Sequence, residues 1–268
     1  MTATNRPDLV EKLTDGIAKL TTTNEWQRFL NYQSRFHSYS FGNVLLIAMQ
    51  CPRATQVSGF RAWQRMKRFV RKGEKAIWVL APMTYKRNGD DVSDDDRVIV
   101  GFKYVPVFDV SQTDGEELPT VCNRLAGQDP AGLYAQLLAV AQSIGFAVED
   151  AQLSGGVNGD CSHELRRIRI EVSNSPAQRT KTLAHELAHA LLHRTFDDRR
   201  LAELEAESTA YVVCQALGVE SADYSFGYVA TWAGGADNAI AKIKASCDRI
   251  QKAAATILDS FYSDRVAA

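Results

Sequence analysis

No stretch of the 268 residues approaches the 18 or so unbroken apolar positions that a membrane-spanning helix needs. The opening MTATNRPDLVEKL carries acidic residues and lacks an apolar h-region, so neither export by the general route nor membrane insertion is expected. Cysteine is sparse. The five, at 51, 122, 161, 214 and 247, are odd in number and contain no C-x-x-C pair, which argues against a disulfide framework and a cysteine zinc site. A reducing cytoplasm suits them. The net charge of −1 carries no overall signal for nucleic acid, although it averages over an uneven distribution. With 45% hydrophobic and 24% charged residues the composition is globular, and the length suits two modest domains.

Residues 7–20 have helical spacing, with Leu9, Leu13, Ile17 and Leu20 on one stripe, and Asn24 is expected to cap a second helix ending at Phe36. Strands are expected at Val57–Phe60 and Ala76–Leu80, separated by the helix-like RAWQRMKRF. Asn88-Gly89 and the acidic run that follows read as a hairpin tip returning as a strand over 97–108. Thr113 to Pro119, continuing to Pro130, is the linker candidate, because turn formers and charges replace apolar periodicity there. The expected domains are therefore 1–120 and 121–268. The second opens with a helix over 130–143 and a strand over 146–149. A polar loop over 155–160 and an alternating strand over 166–172 follow. Ser175-Pro176-Ala177-Gln178 then starts a helix that carries Lys181 to His193.

That helix holds the clearest chemistry. His185 and His189 are one turn apart on one face, close enough to bind one metal ion, and Glu186 lies about 100° round from His185. Glu186 can therefore flank the ion and act as general base, as in other H-E-x-x-H sites. The residues around the motif are apolar (Leu183, Ala184, Leu187, Ala188), so polar groups here need the compensation that metal coordination gives. His193 is about 6 Å further along a continuous helix, too far to share the ion. It is expected near the helix C-terminus as a dipole partner or a support for the ligands. On the next helix, 201–217, Glu207 lies on the stripe of Leu204, Tyr211 and Cys214, whereas Glu205 points away. Glu207 is the expected third ligand, with Glu203 in reserve, and a salt bridge is the other account of Glu207. Two histidines and a glutamate leave a position for water, the catalytic arrangement, with Zn2+ as the expected ion. Tyr228 is a candidate oxyanion donor, and the 167–172 strand a candidate edge for a peptide.

From Arg53 to Lys75 the basic residues Arg53, Arg61, Arg65, Lys67, Arg68, Arg71, Lys72 and Lys75 face one acidic residue, Glu74. Trp63, Phe60, Phe69 and Trp78 are interleaved. Basic grooves with aromatic platforms bind single strands, and a solvated basic helix over core aromatics has the same composition.

Three runs, NYQSRFHSYSFGNVLLIAMQCPRATQVSGFRAWQ, VRKGEKAIWVLAP and VPVFDVSQTDGEELP, resemble the N-terminal domain of ArdC-like antirestriction proteins. HELAHALLH, AELEAESTAYVVC and FGYVATW resemble their peptidase domain. The resemblance covers most of the chain in order; the acidic run Asp90–Asp96 has no counterpart in it. It implies an α+β protein of two domains. The first is a mixed α/β domain binding single-stranded DNA, for which the composition above offers Trp63 and the basic residues as contacts. The second is a zincin-like metallopeptidase domain related to the SprT and ImmA/IrrE groups, its H-E-x-x-H helix packed on a small antiparallel sheet. The carboxylate after Ala206 is a ligand in that pattern. The implied setting is a plasmid, phage or other mobile element whose incoming DNA is protected from restriction.

The expected protein is thus a cytoplasmic, monomeric, single-stranded-DNA-binding zinc peptidase acting on an unidentified protein substrate. Two alternatives stand beside it: a DNA-coating protein with a mainly structural metal, and an ImmA-like peptidase that destroys a repressor.

Overall fold

The computed structural model describes residues 7–20, 22–86, 97–118, 130–195, 198–219 and 239–266. The expected hairpin tip at 88–96 and Tyr228 lie outside them. The fold is α+β and divides into two compact units, one of residues 1–16 and 42–119, the other of 17–41 and 120–268.

In the first unit, strands β1 (Val57–Gly59), β3 (Ile77–Lys86) and β4 (Arg97–Asp109) form an antiparallel sheet in the order β1-β4-β3. Helix α3 (Phe41–Gln50), all but its first residue in this unit, closes the exposed edge of β3. Asn43 and Gln50, two turns apart and so on one face, each exchange two hydrogen bonds with the backbone of β3: Asn43 with Leu80 and Gln50 with Trp78, at 2.8–3.0 Å. The amides thus satisfy backbone groups that an edge strand leaves unpaired. Val44, Ile47, Trp63, Ile77, Val79 and Val107 form the core.

Two elements differ from expectation. The helix within RAWQRMKRF is short, α4 (Phe60–Arg65); Lys67 takes a left-handed φ of 55° and the chain continues as strand β2 (Arg68–Val70). β2 pairs with β5 (Thr113–Gly115), so the beginning of the expected linker is ordered strand. The cause is close contact: a Cβ at Gly115, φ 137°, would meet the Lys67 carbonyl at 2.3 Å, and Arg68 donates to Thr113 Oγ1 and its carbonyl. Asp109, 1% exposed, ties this region together by accepting from the amides of Thr55, Gln56 and Ser111.

The second unit draws residues 17–41 from the half that the sequence assigns to the first domain. Helix α2 (Thr23–Arg35), capped by Thr22 rather than Asn24, buries Trp26, Phe29 and Leu30. It packs on α7 (Arg199–Leu217), where Trp26 Nε1 donates to Ser208 Oγ at 3.0 Å and Tyr211 donates to Asn31 Oδ1 at 2.8 Å. Strands β6 (Ala147–Ala151), β7 (Gly159–Ser162) and β8 (Arg167–Glu171) form a sheet of order β6-β8-β7. It is mixed, not antiparallel, because β6 runs parallel to β8. β8, the expected edge, is therefore central, and β7 lies at the edge. Helices α5 (Pro130–Ser143), α6 (Pro176–Leu192) and α8 (Ala239–Val266) complete the unit around Leu137, Ile168, Ile170, Leu183, Leu187, Val212 and Ile250. No helix of the described residues is long and apolar enough to cross a membrane.

Candidate metal centre and nucleic-acid face

Helix α6 is started by Ser175, whose Oγ accepts from the Gln178 amide, and by Pro176 in the first turn. Its apolar stripe, Leu183, Ala184, Leu187 and Ala188, is fully buried and fixes which face the polar residues present. α7 is started by Asp198, accepting from the amides of Arg200 and Leu201, and is ended by Gly218 in the left-handed conformation, φ 72°. These two helices and the β7 edge enclose a cleft of about 710 Å³, whose lining includes Gly159, Asp160, Cys161, Lys181, His185, Glu186, His189, Arg199, Glu203 and Glu207.

His185 Nε2 and His189 Nε2 are 3.1 Å apart. Glu203 Oε2 lies 3.4 Å from the first and 3.7 Å from the second. Among the described residues these three side chains bring donor atoms within 4.8 Å of one another. Two imidazoles and a carboxylate directed at one point in a half-open cleft are the donor set of a first-row divalent ion. Bonds from His185 and His189 hold the Glu203 carboxyl well below the usual carboxylate range, against its partial burial.

The expected ligand Glu207 is elsewhere. It accepts from His185 Nδ1 at 3.1 Å and pairs with Lys181 Nζ at 3.1 Å, so it meets the imidazole on the edge away from Nε2. Burial acts to raise its carboxyl, but the bond from His185 and the Lys181 charge outweigh this and the net shift is downward. The carboxylate beside both Nε2 atoms is therefore that of the reserve, Glu203, four residues earlier, while Glu207 sits at His185 Nδ1.

Glu205, expected to point away, is 1% exposed. Helix α7 packs against α2, α6 and α8, and Glu205 lies on a covered face of it. Glu205 accepts from Ser246 Oγ at 2.6 Å, Arg249 Nε at 2.9 Å and His193 Nε2 at 3.2 Å. His193, the residue that ends α6, in turn meets His189 Nδ1 through its own Nδ1 at 3.0 Å. A His-Glu-Arg chain was not legible in the sequence, since Arg249 is 44 positions beyond Glu205.

Glu186 is buried, and burial pushes its carboxyl up to about 7, with the neighbouring Glu203 and Asp160 charges adding to the rise against that of His185. Gly159 on β7 allows the strand to lie over it: a Cβ there would fall 2.6 Å from Thr182 Cγ2 and 3.2 Å from Glu186 Cγ. Burial and the Glu186 charge push the Cys161 thiol up to about 12, so it borders the cleft as a neutral thiol. His185 is carried up to about 9: burial opposes this, and the bonds to Glu203 and Glu207 outweigh it. His189 is lowered, chiefly by burial.

In the first unit, Arg53, Arg61, Arg65, Lys72 and Lys75 are exposed. Lys67 is exposed and pairs with Glu116 at 2.9 Å; Arg71 pairs with Glu74 and Asp114. Arg68 is half-buried and committed to Thr113 and the Glu116 carbonyl. Trp63 is no platform. It is fully buried, with Nε1 donating to the Phe108 carbonyl at 2.9 Å, because α4 turns it into the sheet. Phe60 and Phe69 are the exposed aromatics of the segment, at 48% and 59%.

Residues 7–108 match the N-terminal domain of anti-restriction factor ArdC, and residues 146–216 match the IrrE N-terminal-like domain of peptidase M78. An uncharacterized protein of Bacillus anthracis, pXO2-81, is 24% identical over 270 residues, covering 84% of this chain; the chain spans 46% of that relative's length. Two crystal structures of the antirestriction protein ArdC from plasmid R388 share the fold. The metal-free form has a TM-score of 0.51 at 23% identity, covering 83% of this chain and 85% of that one. The Mn(II)-bound form has a TM-score of 0.51 at 23% identity, covering 82% and 83%.

Proposed function

Starting from an ArdC-like chain, one that pairs an ArdC N-terminal domain with an IrrE-like domain, we propose that it is a metal-dependent peptidase associated with single-stranded DNA, acting in antirestriction. One observation carries the reading: the Nε2 atoms of His185 and His189 meet at 3.1 Å with the Glu203 carboxylate beside both and Glu186 buried next to them.

His185, His189 and Glu203 would hold the ion, Zn2+ by the chemistry of the donors. When bound, it supplies Lewis-acid polarisation of a carbonyl and of water. The remaining chemistry belongs to the chain. Glu186, raised to about 7 by burial, exchanges a proton readily at neutral pH and serves as the general base and acid. Glu207, charged through its bonds to His185 and Lys181, holds the His185 ring in register. The β7 edge, which borders the cleft at Gly159, Asp160 and Cys161, offers backbone groups to an extended peptide. The Mn(II) of the R388 protein supports a divalent ion at this kind of fold.

For DNA, the supporting residues are the exposed cations Arg53, Arg61, Arg65, Lys72 and Lys75 with Phe60 and Phe69 in place of Trp63. The setting proposed is protection of an incoming mobile element's DNA, and the substrate a protein partner.

The experiment is cleavage of candidate proteins by the full chain with and without a chelator and with and without single-stranded DNA. Chelator-sensitive cleavage is expected in the wild type and not in Glu186→Gln; equal cleavage by both would overturn the peptidase reading.

A further inference from the structure

The ring of His189 is gripped at both nitrogens, and the grip on the side away from the cleft leads out of the motif to the C-terminal helix. Glu205 receives Ser246 Oγ, the Arg249 guanidinium and His193 Nε2 on its two oxygens. An ionised carboxylate only accepts, so the His193 nitrogen that faces it must carry a hydrogen. In a neutral ring the other nitrogen, Nδ1, is then a lone pair, and it lies 3.0 Å from His189 Nδ1. His189 must supply the hydrogen of that bond. Its Nε2 is left as a lone pair toward the cleft.

We propose that Arg249 and Glu205, acting through His193, fix His189 as its Nδ1–H tautomer, so that its Nε2 lone pair is presented to the ion. His193, Glu205 and Arg249 are positioning residues: none touches the cleft centre, and the polar chain Arg249–Glu205–His193–His189 makes the C-terminal helix α8 part of the site. Removing the far end of the chain should loosen the ligand at its near end. Partners of this kind tune metal affinity through the orientation and basicity of the ligating ring. The proposal rests on the metal-site reading above, and its test separates the two.

Two measurements on the full chain decide it. In the metal-free wild type at mildly alkaline pH, the 15N shifts of the His189 ring should report hydrogen on Nδ1; hydrogen on Nε2 would overturn the proposal without any variant. Second, Zn(II) affinity by competition with a chelating dye should fall about 10- to 100-fold in His193→Phe. It should be largely restored in His193→Asn, whose amide oxygen stands where Nδ1 stood, at matched melting temperatures. Arg249→Met should shift the His189 ring toward Nε2–H. Wild-type affinity in a folded His193→Phe would overturn the proposal. A wild type that binds no Zn(II) refutes the metal reading instead, and the tautomer signal still judges the chain of bonds.

Discussion

Glu203 and Glu207, one helical turn apart on α7, meet opposite edges of the same imidazole: Glu203 Oε2 lies 3.4 Å from His185 Nε2, and Glu207 Oε2 lies 3.1 Å from His185 Nδ1. The first faces the cleft centre and the second braces the ring from behind. The two carboxylates should therefore fail differently. Glu203→Ala removes the proposed ligand and should lose more Zn(II) affinity than Glu207→Gln, which should lose about 10- to 100-fold as a support of a ligand does. Dye competition on the purified variants checks the order, and the reverse order would restore Glu207 as the ligand.

Glu186→Gln keeps the shape of the cleft and removes the group that exchanges protons near neutral pH. Its metal content should match the wild type while turnover falls by roughly 10²- to 10⁴-fold, the usual scale of general acid–base catalysis. Inductively coupled plasma analysis and a single-turnover cleavage assay make the comparison. Protection of transferred DNA that survives this change would favour occupancy of the DNA over proteolysis.

Gly159→Ala should press a methyl group against Thr182 and Glu186, with closest approaches of 2.6 and 3.2 Å before relaxation. The expected cost is about 1–3 kcal/mol, as for other overpacked sites, read as a lower urea midpoint of the second unit. An unchanged midpoint would show that β7 yields freely from α6.

Asp109 provides the pH test of the first unit. Burial acts to raise its carboxyl, but bonds from Ser111, Thr55 and Gln56 outweigh it and the pKa is lowered in the folded chain. A group with a depressed folded value contributes stability above its unfolded value, near 3.8, and loses it as the pH falls toward the folded one. Protection of the Thr55 and Gln56 amides from hydrogen exchange should decline over that acidic window, and Asp109→Asn should flatten the decline.

Single-stranded DNA binding should weaken steeply with salt. Arg61→Ala and Arg65→Ala, at exposed positions, should each lower the slope of log K against log[salt] by about 0.7 if each contacts a phosphate. Trp63→Ala should act differently, costing roughly 3–5 kcal/mol of stability because the ring is core. Salt-insensitive binding would contradict the assignment of this face.

The site was legible where local geometry decides it. The i, i+4 spacing of His185 and His189, the Ser175 cap and the apolar stripe of α6 are all short-range signals. Which edge of His185 Glu203 and Glu207 each meet was not, because the two are one turn apart on α7 and their placement depends on how α7 packs against α6. The hidden role of Glu205 has a similar cause: a one-sided stripe does not describe a helix that packs against α2, α6 and α8. Trp63 and Arg68 read as DNA contacts by composition, yet one is buried and the other bonded to Thr113, and burial depends on where α4 docks on the sheet. Membership of residues 17–41 in the second unit rests on contacts such as Trp26 with Ser208, 182 positions apart, which no local pattern encodes.

The most direct test of the metal centre is a crystal of the full chain soaked in Mn(II), read by anomalous scattering at the manganese edge. A single strong peak is expected, bonded to His185 Nε2, His189 Nε2 and a Glu203 oxygen, with Glu207 still on His185 Nδ1. A peak bonded to Glu207, or none in the cleft, would contradict the proposed metal centre.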